Sequence, residues 1–225
     1  YSLTAFEDEY SKESLKTYLG NYINKLPANQ LQFLGFCSLV YFYTQKSLPS
    51  SIFIKLFPVA GLDEELSLKP LEEHYIRKLL SQAFDVTNLE YIDEWRPRYS
   101  RFAEEILQIT LSTNGNWKDY ISKWVIDFIE LLKSDTYYLT EDIKELYKGL
   151  ILNRDNEELL GVDDEYQYIP FKKFSKLIED IPDKDNKQAV FKKLVESYPD
   201  EAHYHGHLGR YLFENAKTPE DFEIA

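Results

Sequence analysis

Residues Gln30 to Thr44 place apolar side chains nearly all the way round a helix, through Leu31, Phe33, Leu34, Phe36, Cys37, Leu39, Val40, Tyr41, Phe42 and Tyr43. A helix without a polar face has to be enclosed, so this segment is read as the central helix of a core. Its neighbours must supply the cover. Before it, Leu15, Tyr18, Leu19, Tyr22, Ile23 and Leu26 keep the i, i+3, i+4, i+7 spacing of a one-faced helix that ends before Pro27. After the break at Lys46-Ser47-Leu48-Pro49, a short second helix is expected from about Ser50 to Phe57, stopping at Pro58. A third is expected from about Ser67 to Phe84, with Leu68, Leu71, Tyr75, Ile76, Leu79, Leu80 and Ala83 on one side.

The period then changes. Leu89-Glu90-Tyr91-Ile92-Asp93-Glu94-Trp95 alternates as a strand, within an extended stretch from Val86 to Trp95, and Phe102 to Leu107 returns to helix. A single β element is thus expected, confined to about residues 85 to 99. Three helices followed by such an element are in the order of a winged-helix domain, whose wing packs back on a three-helix core.

Beyond the loop Thr113-Asn114-Gly115-Asn116 the chain reads as helix to its end. Trp117, Tyr120, Ile121, Trp124, Val125, Phe128, Ile129 and Leu132 hold helical spacing for four turns. Ile143, Leu146, Tyr147, Leu150 and Ile151 mark another helix, as do Phe171, Phe174, Leu177, Ile178 and Ile181, and then Val190, Phe191, Leu194, Val195 and Tyr198. Helices of similar length joined by short polar turns suggest an α-solenoid rather than a closed bundle. The expected fold is mainly α. Residues 1–27 form a helical linker, 28–112 a winged-helix domain with a small β wing, and 113–225 a helical array.

Between strand and helix lies Arg96-Pro97-Arg98-Tyr99-Ser100-Arg101, with three arginines and no acid, in a chain of formal net charge -13. Arginine side chains delivered to the start of a helix, beside its free N–H groups, suit a phosphate. Pairing with nearby surface carboxylates is the plain alternative. The same acidity, with a pI near 4.8, opposes general DNA or RNA binding, which rewards spread-out Lys and Arg. The expected third helix offers base edges only Lys69, Arg77, Lys78 and Gln82, mixed with Glu72 and Glu73.

Other classes fall away on chemical grounds. The longest apolar run, Phe36 to Tyr43, is far below the roughly 20 residues needed to span a bilayer. No membrane partner is expected. The one cysteine, Cys37, permits no disulfide framework or thiolate metal site, and it lies in the most apolar helix, where a thiolate is disfavoured. A cytoplasmic setting is the matching expectation. No G-x-x-x-x-G-K-[ST] loop occurs, so the chain is not expected to hydrolyse ATP by itself. Asp163-Asp164-Glu165 and Glu157-Glu158 sit in a polar stretch and read as solvated charge rather than a catalytic pair. His203, His205 and His207 lie at i, i+2, i+4; on a helix only His203 and His207 share a face, so no metal site is assigned to them. The chain has no methionine and ends at Glu223-Ile224-Ala225 inside a helical pattern, so it is expected to be a piece of a longer polypeptide.

The last stretch, from Ser197-Tyr198-Pro199-Asp200-Glu201-Ala202-His203 through Leu208-Gly209-Arg210 to Thr218-Pro219-Glu220-Asp221-Phe222, looks like the start of a tetratricopeptide repeat. Leu208-Gly209 would let two helices approach, Thr218 would cap the second, and Phe222 and Ala225 would lie on it. Together with Trp95 to Leu107 and Phe174-Ser175-Lys176-Leu177-Ile178-Glu179-Asp180, this resembles the region after the nucleotide-binding domain in STAND proteins, the signal-transduction ATPases with numerous domains, and among them the antiviral members.

The resemblance covers residues 28 to 225. It implies a winged-helix domain closing over ATP or ADP held by an upstream nucleotide-binding domain of the same chain, followed by helices leading to a repeat array that senses a protein ligand. It also implies a parent that homo-oligomerises when activated. The nucleotide-proximal residues implied are Arg96, Arg98, Tyr99 and Arg101, with Tyr99 where many relatives carry a phosphate-contacting histidine. A phenol donates a hydrogen bond but carries no positive charge, so Arg98 or Arg101 would have to supply it. Two further functions remain open at this point: a nucleic-acid-binding winged helix joined to a repeat scaffold, and a repeat-only protein-interaction adaptor.

Overall fold

The computed structural model describes residues 12–49, 79–85, 87, 90–111, 115–133, 141–152 and 174–217. The chain divides into two compact units, Tyr1–Trp117 and Lys118–Ala225. Among the described residues there are eight α-helices and one three-stranded antiparallel sheet.

In the first unit, helix α1 (Lys12–Ile23) buries Leu15, Leu19 and Ile23, the stripe expected from its spacing. Helix α2 (Ala28–Thr44) is enclosed along most of its length, with Phe33, Leu34, Phe36, Cys37, Leu39 and Val40 each at most 1% exposed. Burial pushes the Cys37 thiol well up from its ordinary value, so this cysteine acts as a small core hydrophobe. Helix α3 (Ser100–Leu111) packs on α2 and α1 through Phe102, Ala103, Ile106 and Leu107.

Helix α2 ends on Gln45, in the left-handed region at φ 56°. Its backbone N–H bonds Tyr41 O at 2.9 Å, and its side-chain amide donates to Tyr41 O (3.1 Å) and Phe42 O (3.4 Å). Left-handed geometry favours glycine, but the side-chain bonds satisfy carbonyls that the helix end leaves over. Gln45→Ala is therefore expected to cost about 0.5–1.5 kcal/mol. Gln45→Gly should be close to neutral, the relief of backbone strain offsetting the lost bonds. Urea midpoints of the two variants check this.

Strands β1 (Leu48–Pro49), β2 (Leu80–Asp85) and β3 (Glu90–Pro97) form the sheet in the order β1-β3-β2. Leu48 faces Trp95, Leu80 faces Pro97 and Ser81 faces Arg96. The register shifts between Gln82↔Trp95 and Phe84↔Tyr91, a bulge that leaves extra residues on β3. Two expectations are corrected here. Leu80–Phe84 is strand, not the last turn of a third helix, and Leu48–Pro49 is an edge strand rather than a plain break. The β element therefore reaches beyond residues 85 to 99. A lone strand at Glu90–Trp95 would leave its backbone groups without partners, and Leu80–Asp85 answers by pairing with it. The expected second helix, and the third up to residue 78, lie outside the described residues.

A 3-10 turn, Trp117–Tyr120, starts on the last residue of the first unit and leads into helix α4 (Ile121–Lys133) of the second, which buries Ile121, Val125, Phe128, Ile129 and Leu132. Helix α5 (Glu141–Tyr147) widens into a π turn, Lys148–Leu152, with Leu150, Ile151 and Leu152 buried. Helix α6 is only Lys176–Asp180. The longer helix expected over Phe171 to Ile181 is cut short by capping. Ser175 Oγ accepts the Ile178 N–H at 3.3 Å and fixes the start after Phe174, while Pro182 stops continuation beyond Ile181. Phe171 lies outside the described residues. Asp183 caps α7 (Lys184–Ser197), its Oδ1 accepting the Asn186 N–H at 2.8 Å. Helix α8 (Ala202–Asn215) follows after a short turn and packs on α7, which also packs on α4. The expected second helix of the repeat, from Thr218 on, lies outside the described residues.

Candidate functional site at the strand-to-helix junction

The junction from β3 to α3 belongs to the first unit, and its four sequence-selected residues meet different fates. Arg96 is still in the strand, opposite Ser81. Its guanidinium lies 5.7 Å from the centre of the Tyr41 ring on α2, within range of a cation–π contact. Arg98 leaves the strand but stays tied to the neighbouring strand β2. Its backbone N–H bonds Leu79 O at 3.1 Å and its Nε donates to Leu80 O at 3.2 Å. Arg96 thus joins the sheet to α2, and Arg98 ties the junction to β2.

Tyr99 caps the helix with its backbone: its carbonyl accepts the Phe102 N–H at 2.9 Å and the Ala103 N–H at 3.4 Å. Its half-buried ring stands edge-on to Phe102, centroids 4.9 Å apart. Ser100 Oγ lies 3.5 Å from Tyr41 Oη, a second link to α2. Arg101, half-buried in the first turn of α3, makes no hydrogen bond or ion pair among the described residues. No acid occupies that first turn. Arg101 is therefore the cation of the group that the described fold leaves uncommitted.

Sequence reasoning put these residues in one cluster but did not distinguish them. The signal lay in Tyr41 and Leu80, an aromatic ring and a strand carbonyl distant in the chain that engage Arg96 and Arg98.

The histidines form a second constellation, in the second unit. His203 and His207 face each other on α8 with ring centroids 4.7 Å apart. His205 points elsewhere, its Nε2–H donating to Pro199 O at 2.8 Å. Burial, then the proximity of His203 and Arg210, pushes His207 down to about 4, so its imidazole is neutral at pH 7. Among the described residues no group of three or more His, Cys, Asp or Glu converges as a metal site. No helix among them is long and apolar enough to cross a membrane. Asp163-Asp164-Glu165 and Glu157-Glu158 lie outside the described residues.

Comparison of the chain with protein-family models, with curated proteins and with solved structures finds no match.

Proposed function

We propose that this chain is a regulatory, signal-transducing segment of an antiviral-type STAND ATPase, coupling the nucleotide state of an upstream ATPase core to a repeat-built sensor of a protein ligand. The observation that carries the reading is the sheet. A short strand directly after the core helix α2 pairs with the second strand of a later hairpin, giving the order β1-β3-β2. That is how a wing is tied back onto a helical core, and residues 50–78 have the length for the two further helices. The packing of α8 on α7 supports helices leading into a repeat array whose first repeat starts at about Ser197.

In this reading the upstream core holds ATP or ADP, and the first unit closes over it with Arg101 directed at the phosphates or at the domain around them. Arg96 and Arg98 are the frame that presents Arg101. Tyr99 keeps a hydrogen-bonding phenol at the same corner. In this reading the sequence carries no G-x-x-x-x-G-K-[ST] loop, and nucleotide hydrolysis belongs to the upstream core.

Arg101→Ala in the parent protein is expected to remove a charge-assisted bond of about 1.5–3 kcal/mol and to speed ADP release by about 10- to 150-fold. The melting temperature of the 225-residue chain should not change. Arg98→Ala should lower both retention and stability, because it also breaks the tie to Leu80. Unchanged ADP retention in Arg101→Ala, with the parent still binding nucleotide, would rule out the phosphate-facing role.

A further inference from the structure

We propose that His203 and His207 form a two-histidine chelate for a borderline divalent cation of the Cu2+, Ni2+ or Zn2+ class, on the outer face of α8. Two imidazoles bound to one ion through nitrogens at ~2.1 Å, at angles from square-planar to tetrahedral, bring their ring centroids to about 4.6–5.3 Å. The observed separation of 4.7 Å lies in that interval. The i, i+4 spacing is the one that sets two histidines of a zinc-binding helix on a single face. No rotation of the helix is needed to bring them together.

The surroundings fit an open site. His203 is exposed and His207 half-buried. Nδ1 of His207 is buried and has no hydrogen-bond partner among the described residues, which leaves Nε2 as the nitrogen turned outward. Arg210, one turn on, is a competing cation close to His207, and its charge is met by its own partners: its Nε bonds Glu214 Oε1 at 2.7 Å and its guanidinium lies 4.5 Å from the Phe174 ring centre. His205 is engaged with Pro199 and stays outside the chelate. Two protein ligands leave the remaining positions to water, so imidazole preference and the usual divalent order favour Cu2+ over Ni2+ and Zn2+.

The chelate has a structural consequence. It spans Gly206, whose missing side chain meets only open space and which makes the helix interior weaker than alanine would. A bound ion would clamp that turn and order the start of α8.

Titration of the full chain with Cu2+ is expected to give one bound ion, with an electron paramagnetic resonance spectrum of two equatorial imidazole nitrogens. His203→Ala and His207→Ala should each weaken binding by at least about tenfold, and His205→Ala should leave it unchanged. Amide exchange over residues 203–209 should slow when the ion binds. His203 is exposed, so His203→Ala tests the ligand without disturbing packing. Unchanged affinity in that variant, loss of binding in His205→Ala, or a one-nitrogen spectrum would overturn the assignment.

Discussion

Phe191→Ala is expected to destabilise the chain by about 3–5 kcal/mol. Phe191 on α7 is 1% exposed and forms one corner of an aromatic triangle, 5.4 Å from the Phe174 ring and 5.3 Å from the Tyr211 ring, which are themselves 5.6 Å apart. The cost should fall in the upper part of that range because the neighbours are pinned. Tyr211 Oη donates to Lys184 O at 2.9 Å, and Phe174 is covered by the Arg210 guanidinium. Neither ring can swing into the vacated space, so the cavity persists. Phe191→Leu, which keeps most of the volume, should cost less than about 1.5 kcal/mol. Urea denaturation followed by far-ultraviolet circular dichroism distinguishes the two. A loss below about 1 kcal/mol for the alanine variant would mean that α8 collapses onto α7 instead.

Tyr147→Ala should have an effect of the same order, about 3–5 kcal/mol, felt at the junction of α5 with its π turn. Tyr147 is fully buried against Tyr198 and Tyr204, at ring separations of 5.8 and 6.4 Å, and its hydroxyl lies 3.4 Å from that of Tyr198. Burial pushes its phenol well above the ordinary value, so the group stays neutral and its oxygen needs a partner rather than a counter-ion. Tyr147→Phe separates the two contributions. It keeps the ring packing and removes only a long hydrogen bond, for an expected loss of about 0.5–1.5 kcal/mol. Amide exchange across residues 141–152 gives the readout; equal deprotection in both variants would place the stabilisation in the hydroxyl pair, not the ring.

The candidate site was legible as a cluster and illegible as an arrangement. Arg96, Arg98 and Arg101 stand within six residues, so proximity needed no fold. Their separation into two framing cations and one uncommitted cation depends on Tyr41 and Leu80, which the chain brings in from 55 and 18 residues away. Nothing in a local window encodes such partners. The histidine pair is the opposite case. Helical spacing alone put His203 and His207 on one face, and the structure added the ring separation and the exposure.

What the sequence by itself determined is the set of helices with a strong apolar period. Enclosure of α2, the buried stripes of α1, α3 and α4, and the pairing of α7 with α8 follow from where apolar side chains fall every three to four residues. Tertiary structure decided the rest. Leu80–Phe84 carries a pattern that helix and strand can both use, and it became strand because β3 needed a neighbour for its N–H and C=O groups. Helix α6 kept only five residues because Ser175 and Pro182 fix its ends whatever the apolar spacing around them allows. Periodicity records which face a segment can bury. Pairing and capping depend on backbone groups that every residue carries alike, so their outcome appears only when the partners meet in space.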